Sequence, residues 1–255
     1  MTLWIAIIYG IIQGITEFLP VSSSGHLVLL NSIFKVEGNF IIFSLLLHLA
    51  TLFAVFFVLR KEIFYLFKNP FDKKAMNLYI ATIPTIIIAL CFIDFFESSF
   101  SGAILPTCFM ITATLLFIVE IFKKTQYKRI NKKSAIIMGI AQGIAILPGI
   151  SRSGATIAAG LLCGGKRKEV SSFSFLMSIP IIFASMIYEI YSCITKGIPI
   201  FDTPVLPTIF AFLFAFFVGI ICVKFMINML HKVKLYYFSI YLVIISIFSF
   251  YIISF

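Results

Sequence analysis

Six long apolar runs constrain this chain more than any other feature. They cover residues 41–59, 75–96, 103–122, 171–191, 204–223 and 236–255, and a helix needs roughly 20 apolar residues to cross about 30 Å of hydrocarbon. Within that layer no water satisfies free backbone groups, so each run is predicted as a membrane helix with its own hydrogen bonds closed. Composition agrees: 61% of residues are hydrophobic and 12% charged, whereas a soluble domain is about 45–50% apolar. The expected fold class is an all-α polytopic membrane protein.

The 20 Lys and Arg against 10 Asp and Glu give a net charge of +10. A charge of that size can signal nucleic acid, but here the basic residues sit in short loops between apolar runs, so no nucleic-acid partner is expected. Their placement reads as topology and contact with anionic lipid headgroups. Arg60, Lys61, Lys68, Lys73 and Lys74, the linker residues Lys123, Lys124, Lys128, Arg129, Lys132 and Lys133, then Lys166, Arg167, Lys168, Lys224, Lys232 and Lys234 fall on one side. Only Lys35 and Lys196 fall on the other, and the positive-inside rule makes the crowded side cytoplasmic. With no Lys or Arg before Lys35, the start of the chain lacks the charged region of a signal peptide and is expected to remain in the mature protein. The five cysteines are scattered singly in apolar surroundings, which reads as packing rather than disulfide or metal chemistry.

Two further apolar stretches, 5–34 and 134–163, are each broken in the middle, by Pro20 with Ser22-Ser23-Ser24-Gly25 and by Pro148-Gly149. Each piece is too short to span, so both stretches are predicted as re-entrant helical hairpins. At a constant offset of 129, Gly10, Ile11, Gln13, Gly14, Ile15, Ser22, Ser24 and Gly25 coincide with Gly139, Ile140, Gln142, Gly143, Ile144, Ser151, Ser153 and Gly154. The chain therefore reads as two repeats, 1–125 and 131–255, each a hairpin plus three spans, in one integrated membrane domain. Such a unit returns the chain to the opposite face, so the second repeat is expected to be inverted and the two broken helices to meet near the midplane.

Polar groups at membrane depth are costly and usually functional. Gln13 and Glu17 share a helix face, and Ser22, Ser23, Ser24 and His26 follow the first break. Ser151, Arg152, Ser153 and Thr156 follow the second. Two helix N-termini, several hydroxyls and one guanidinium suit a phosphate group. Glu17 and Gln13 offer oxygens to a hard divalent cation. His48, in the middle of a span, either lines the same cavity or bonds a neighbouring helix, the second being preferred. Asp94, Glu97, Glu120 and Glu189 are read as interfacial, and His231 as solvated.

The segments Gln13-Gly-Ile-Thr-Glu17-Phe-Leu-Pro-Val-Ser-Ser-Ser-Gly-His26 and Pro148-Gly-Ile-Ser-Arg-Ser-Gly-Ala-Thr156 resemble the two signature motifs of the undecaprenyl-diphosphatase family, the bacitracin-resistance type of lipid phosphatase. The resemblance implies hydrolysis of undecaprenyl diphosphate to the monophosphate carrier reused in cell-wall synthesis. It further implies a divalent cation, Mg²⁺ or Ca²⁺, a bacterial plasma-membrane location and a site reached from the outer face. By position it makes Glu17 the essential acid, Ser23 the nucleophilic or phosphate-contacting serine, His26 the catalytic histidine and Arg152 the phosphate-binding arginine. Substrate contacts are expected from Gln13, Ser22, Ser24, Ser151, Ser153 and Thr156. Gln13 stands where the family often has Glu, one negative charge fewer for the cation. The sequence leaves open whether Ser23 or His26 is the nucleophile, and the oligomeric state, a homodimer included. The competing class is a transporter or flippase for a phosphorylated lipid or anion, because inverted repeats with broken helices also serve transport.

Overall fold

The computed structural model describes residues 1–36, 38–122, 129–199, 202–229 and 233–254; Lys123, Lys124, Lys128, His231 and Lys232 of the sequence reading lie outside them. The described chain is helical throughout, in the order α1 (Leu3–Thr16), α2 (Ser23–Phe34), α3 (Phe40–Lys68), α4 (Lys73–Cys91), α5 (Ile93–Ser99), α6 (Leu105–Phe122), α7 (Lys132–Ile144), α8 (Arg152–Leu162), α9 (Arg167–Lys196), α10 (Val205–Met229) and α11 (Tyr236–Ser254). Six of these, α3, α4, α6, α9, α10 and α11, are long and apolar enough to cross a membrane. They are the six apolar runs of the sequence.

Two helix ends differ from the hydropathy pattern. The first span was expected to end at 59, yet α3 continues to Lys68 with only a kink at Leu59, because Arg, Lys and Glu are good helix formers even where the apolar run stops. Asn69-Pro70 then ends it. The run 75–96 is instead split at Phe92, whose φ of −122° and ψ of 23° leave the helical region, giving α4 and the short α5.

The links between helices define two ends of the bundle. At one, the Glu62 carboxylate of α3 accepts hydrogen bonds from Lys74 of α4 and from the Ser172 hydroxyl of α9. There too Arg167 pairs with Glu120 at 3.0 Å, and Glu120 also accepts from the Leu235 N–H before α11. At the other end, the Asn39 N–H before α3 donates to Asp202 before α10, and Lys196 of α9 lies 3.6 Å from Glu97 of α5. The pair α1–α2 starts and finishes at this second end. The pair α7–α8 starts and finishes at the first, where the Ile130 N–H donates to Glu169.

Glycine sets how closely these short helices approach their neighbours. A Cβ on Gly10 would sit 2.3 Å from the Ala211 carbonyl oxygen of α10, and one on Gly139 would sit 2.1 Å from that of Ala81 in α4. Backbone thus lies on backbone in both pairs, α1 with α10 and α7 with α4. In the second pair, Thr85 donates across the contact to the Gly139 carbonyl at 2.8 Å. Burial sorts the spans: in an 18-residue apolar stretch of each, 61% is buried in α9 and 50% in α3, against 22% in α4 and α11 and 17% in α10. The poorly buried helices present phenylalanines and isoleucines outward, Phe217, Phe250 and Ile221 among them, as a lipid-facing surface requires.

Candidate active site

The two hairpin turns are bonded to each other. Ser22 takes a φ of 69°, a conformation that costs a non-glycine residue about 1–3 kcal/mol unless its surroundings hold it. What holds it is its hydroxyl oxygen, which accepts from the Gly25 N–H of its own helix at 3.3 Å and from the Gly149 N–H of the other turn at 3.1 Å. Ser153 returns a bond at 3.0 Å to the Leu19 carbonyl. From α6, Thr112 donates to the Gly149 carbonyl and accepts from the Ser151 N–H, fixing the second turn from behind. Ser151 caps α8 by accepting from the Gly154 N–H at 3.0 Å.

Beside the joined turns lies a cavity of about 320 Å³ whose wall includes Glu17, Ser23, Ser24, His48 and Arg152, with Glu97, Tyr188 and Glu189 also on its lining. Glu17 is buried, as an unpaired carboxylate in such a place would not be. Its Oε1 contacts Arg152 Nη2. Its Oε2 accepts from Ser23 Oγ at 2.5 Å and from Gln13 Nε2 at 3.0 Å. Gln13 also donates to Thr51 of α3 at 3.4 Å. Buried polar atoms here without a hydrogen-bond partner include Arg152 Nη1, a donor, and Gln13 Oε1 and Gln142 Oε1, acceptors, while Glu17 Oε1 has only its contact with Arg152. Leaving such groups unmatched costs about 1–3 kcal/mol each, more when charged. An anion at Arg152 and a cation at Gln13 are the charges these orphans suit.

The structure brings Glu17, Ser23 and Arg152 together, with Gln13 behind the carboxylate and Ser24 on the wall. Ser22, Ser151 and Ser153 are engaged in caps and turn-to-turn bonds, although all three also line the cavity. Thr156 is buried elsewhere, with its hydroxyl 2.8 Å from the Arg152 carbonyl oxygen and 2.6 Å from the Ser174 hydroxyl. His26 stands apart from the carboxylate. Its Nδ1 donates to the Ser22 carbonyl at 2.7 Å, and its Nε2 is 2.7 Å from the Tyr241 hydroxyl, against whose ring it stacks. The imidazole nearest Glu17 is that of His48, with Nε2 3.4 Å from Oε2.

Comparison with known proteins identifies the family. Residues 6–248 match the family described as bacitracin resistance protein BacA. The chain belongs to the BacA family. Among curated relatives, the undecaprenyl-diphosphatase of Carboxydothermus hydrogenoformans is 41% identical, over 95% of this chain and 94% of its own. That of Bacteroides thetaiotaomicron is 40% identical over 92% and 93%, and undecaprenyl-diphosphatase 4 of Bacillus thuringiensis subsp. konkukian is 40% identical over 92% of both. The BacA family match spans both turns and reaches into the last of the six long helices.

Proposed function

We infer that this chain is an undecaprenyl-diphosphatase of the bacterial membrane, releasing phosphate from undecaprenyl diphosphate and leaving the monophosphate carrier. The observation that carries the mechanism is the orphaned Arg152 Nη1, a guanidinium donor beside a serine whose proton already rests against a carboxylate. A terminal phosphoryl group suits that donor, since the arginine fork binds phosphate oxygens in pairs.

In the mechanism we propose, Ser23 Oγ forms a bond to the terminal phosphorus as its proton passes to Glu17 Oε2. The bridging P–O bond breaks, and undecaprenyl phosphate departs with the electron pair. Water then attacks the phosphoserine, Ser23 recovers its proton from Glu17, and inorganic phosphate leaves. Arg152 and the α2 and α8 N-termini stabilise the charge on the transferred group without reorganising. His26, engaged by Ser22 and Tyr241, holds the start of α2 rather than the phosphoryl group. The resident cation would be held through Glu17 and the orphaned Gln13 Oε1, and would supply charge neutralisation on the diphosphate oxygens.

The architecture supports two further readings. Contacts at Gly10 and Gly139, 129 residues apart, pair α1 with α10 and α7 with α4, the arrangement expected of inverted repeats whose hairpins enter from opposite ends. Arg60, Lys68, Lys73 and Lys132 gather at one end, which the positive-inside rule makes cytoplasmic, so the cavity beside Glu97 and Glu189 faces outward.

Phosphate release from undecaprenyl diphosphate by purified protein, with Mg²⁺, with Ca²⁺ and with EDTA, tests the mechanism. Arg152→Lys, which keeps the charge, should lower the rate by about 10²–10³ while the melting temperature stays near wild type; Glu17→Gln should lower the rate as much and also lower the melting temperature, because it leaves a buried guanidinium unpaired. Full activity in a folded Arg152→Lys variant would remove the guanidinium from the reaction.

A further inference from the structure

We propose that His48 is a ligand of the divalent cation, so that this site takes nitrogen-tolerant Mn²⁺ more tightly than Mg²⁺ or Ca²⁺. The inference deepens the proposed phosphatase reading and rests on its assignment of a cation to Glu17 and Gln13.

The argument starts from the tautomer. His48 Nδ1 lies 2.8 Å from the Ser44 carbonyl oxygen, one helical turn earlier on α3. A carbonyl can only accept, so Nδ1 carries a proton, and in the neutral ring Nε2 is left with a lone pair. That lone pair faces Glu17 Oε2 at 3.4 Å, where two acceptors confront each other. A cation relieves the confrontation by accepting from both. A backbone carbonyl holding the far ring nitrogen is the usual way in which proteins set a metal-binding histidine, because it fixes ring orientation and tautomer together.

A second observation comes from Gln13. Its amide turns Nε2 toward Glu17 Oε2 and leaves Oε1 buried with no partner, so an oxygen donor on the same carboxylate's flank is unspent. An ionised carboxylate offers about four lone-pair directions, and Ser23, Gln13 Nε2, Arg152 and a cation together use all four. Glu17 and His48 supply one charge and one nitrogen, and diphosphate oxygens and water would fill the remaining positions. An imidazole in the set shifts preference away from all-oxygen Mg²⁺ and Ca²⁺ coordination toward Mn²⁺.

The probe is Mn²⁺ alone, added to the whole purified protein in detergent. Pulsed electron paramagnetic resonance of the wild type should show a ¹⁴N coupling that converts to ¹⁵N when the protein is grown with ¹⁵N-histidine. The coupling should vanish in His48→Gln and persist in His26→Gln and His231→Gln; if His48→Gln does not fold, persistence in the other two assigns it by elimination. In folded His48→Gln, Mn²⁺ affinity should fall at least about tenfold while Ca²⁺ affinity changes less than about threefold, whereas a merely structural histidine would weaken both alike. No nitrogen coupling in the wild type, or equal losses for the two ions, overturns the inference and leaves the phosphatase standing. Absence of phosphate release from any lipid diphosphate would instead overturn the reading of the site, even with the coupling present.

Discussion

Adjacent serines at the first turn carry different duties, and the structure separates them. Ser22 has its oxygen committed to two backbone N–H groups, one on each hairpin, while Ser23 has its proton against Glu17. Ser22→Ala should therefore lose stability, by about 1–3 kcal/mol for a buried N–H left unpaired, and show a lowered melting temperature. Ser23→Ala should melt near wild type yet lose phosphate release by at least about 10²-fold. Equal melting temperatures for the two variants would contradict this division. At this scale the sequence made Glu17, Ser23 and Arg152 legible, because charges and hydroxyls in apolar surroundings stand out. It was less clear on His48, although Ser44, His48 and Thr51 are spaced i, i+4, i+7 in an apolar run and form a polar stripe on one face of α3. The family resemblance made His26 the catalytic histidine; that Tyr241, 215 residues away, bonds its ring is tertiary information no local pattern carries.

Helices α1 and α7 are too short to be stabilised by their own length and depend on contact with α10 and α4. That contact is backbone on backbone at Gly10 and Gly139. Gly139→Leu should force the pair apart at a cost beyond the roughly 1–3 kcal/mol of ordinary overpacking, because the obstacle is a carbonyl oxygen rather than a flexible side chain. The expected result is a clear drop in melting temperature or loss of a monodisperse species, while Ile140→Leu, on the exposed face, should be neutral. Helix positions were readable from hydropathy, but helix ends were not. The hydrophobic signal in α3 stops at Leu59, whereas helix propensity carries the backbone on to Lys68.

At the scale of the whole molecule, charge asymmetry and cavity placement make one prediction together. A membrane-impermeant thiol reagent applied to intact cells of a cysteine-free background should label Glu97→Cys and leave Lys133→Cys unlabelled until the membrane is opened; the reverse pattern would invert the assigned orientation. The offset of 129 was visible in the chain, but the bonds joining the two turns were not, since Ser22 with Gly149 and Ser153 with Leu19 pair residues more than a hundred positions apart. A second hollow, of about 660 Å³, runs among α6, α7 and α8 from Arg129 and Lys133, at the opposite end from Glu97. Ile150 lines both hollows. One branched side chain thus stands between the two hollows. Because Ile150 stands two residues before Arg152, the partition between the hollows belongs to the same turn that presents the guanidinium.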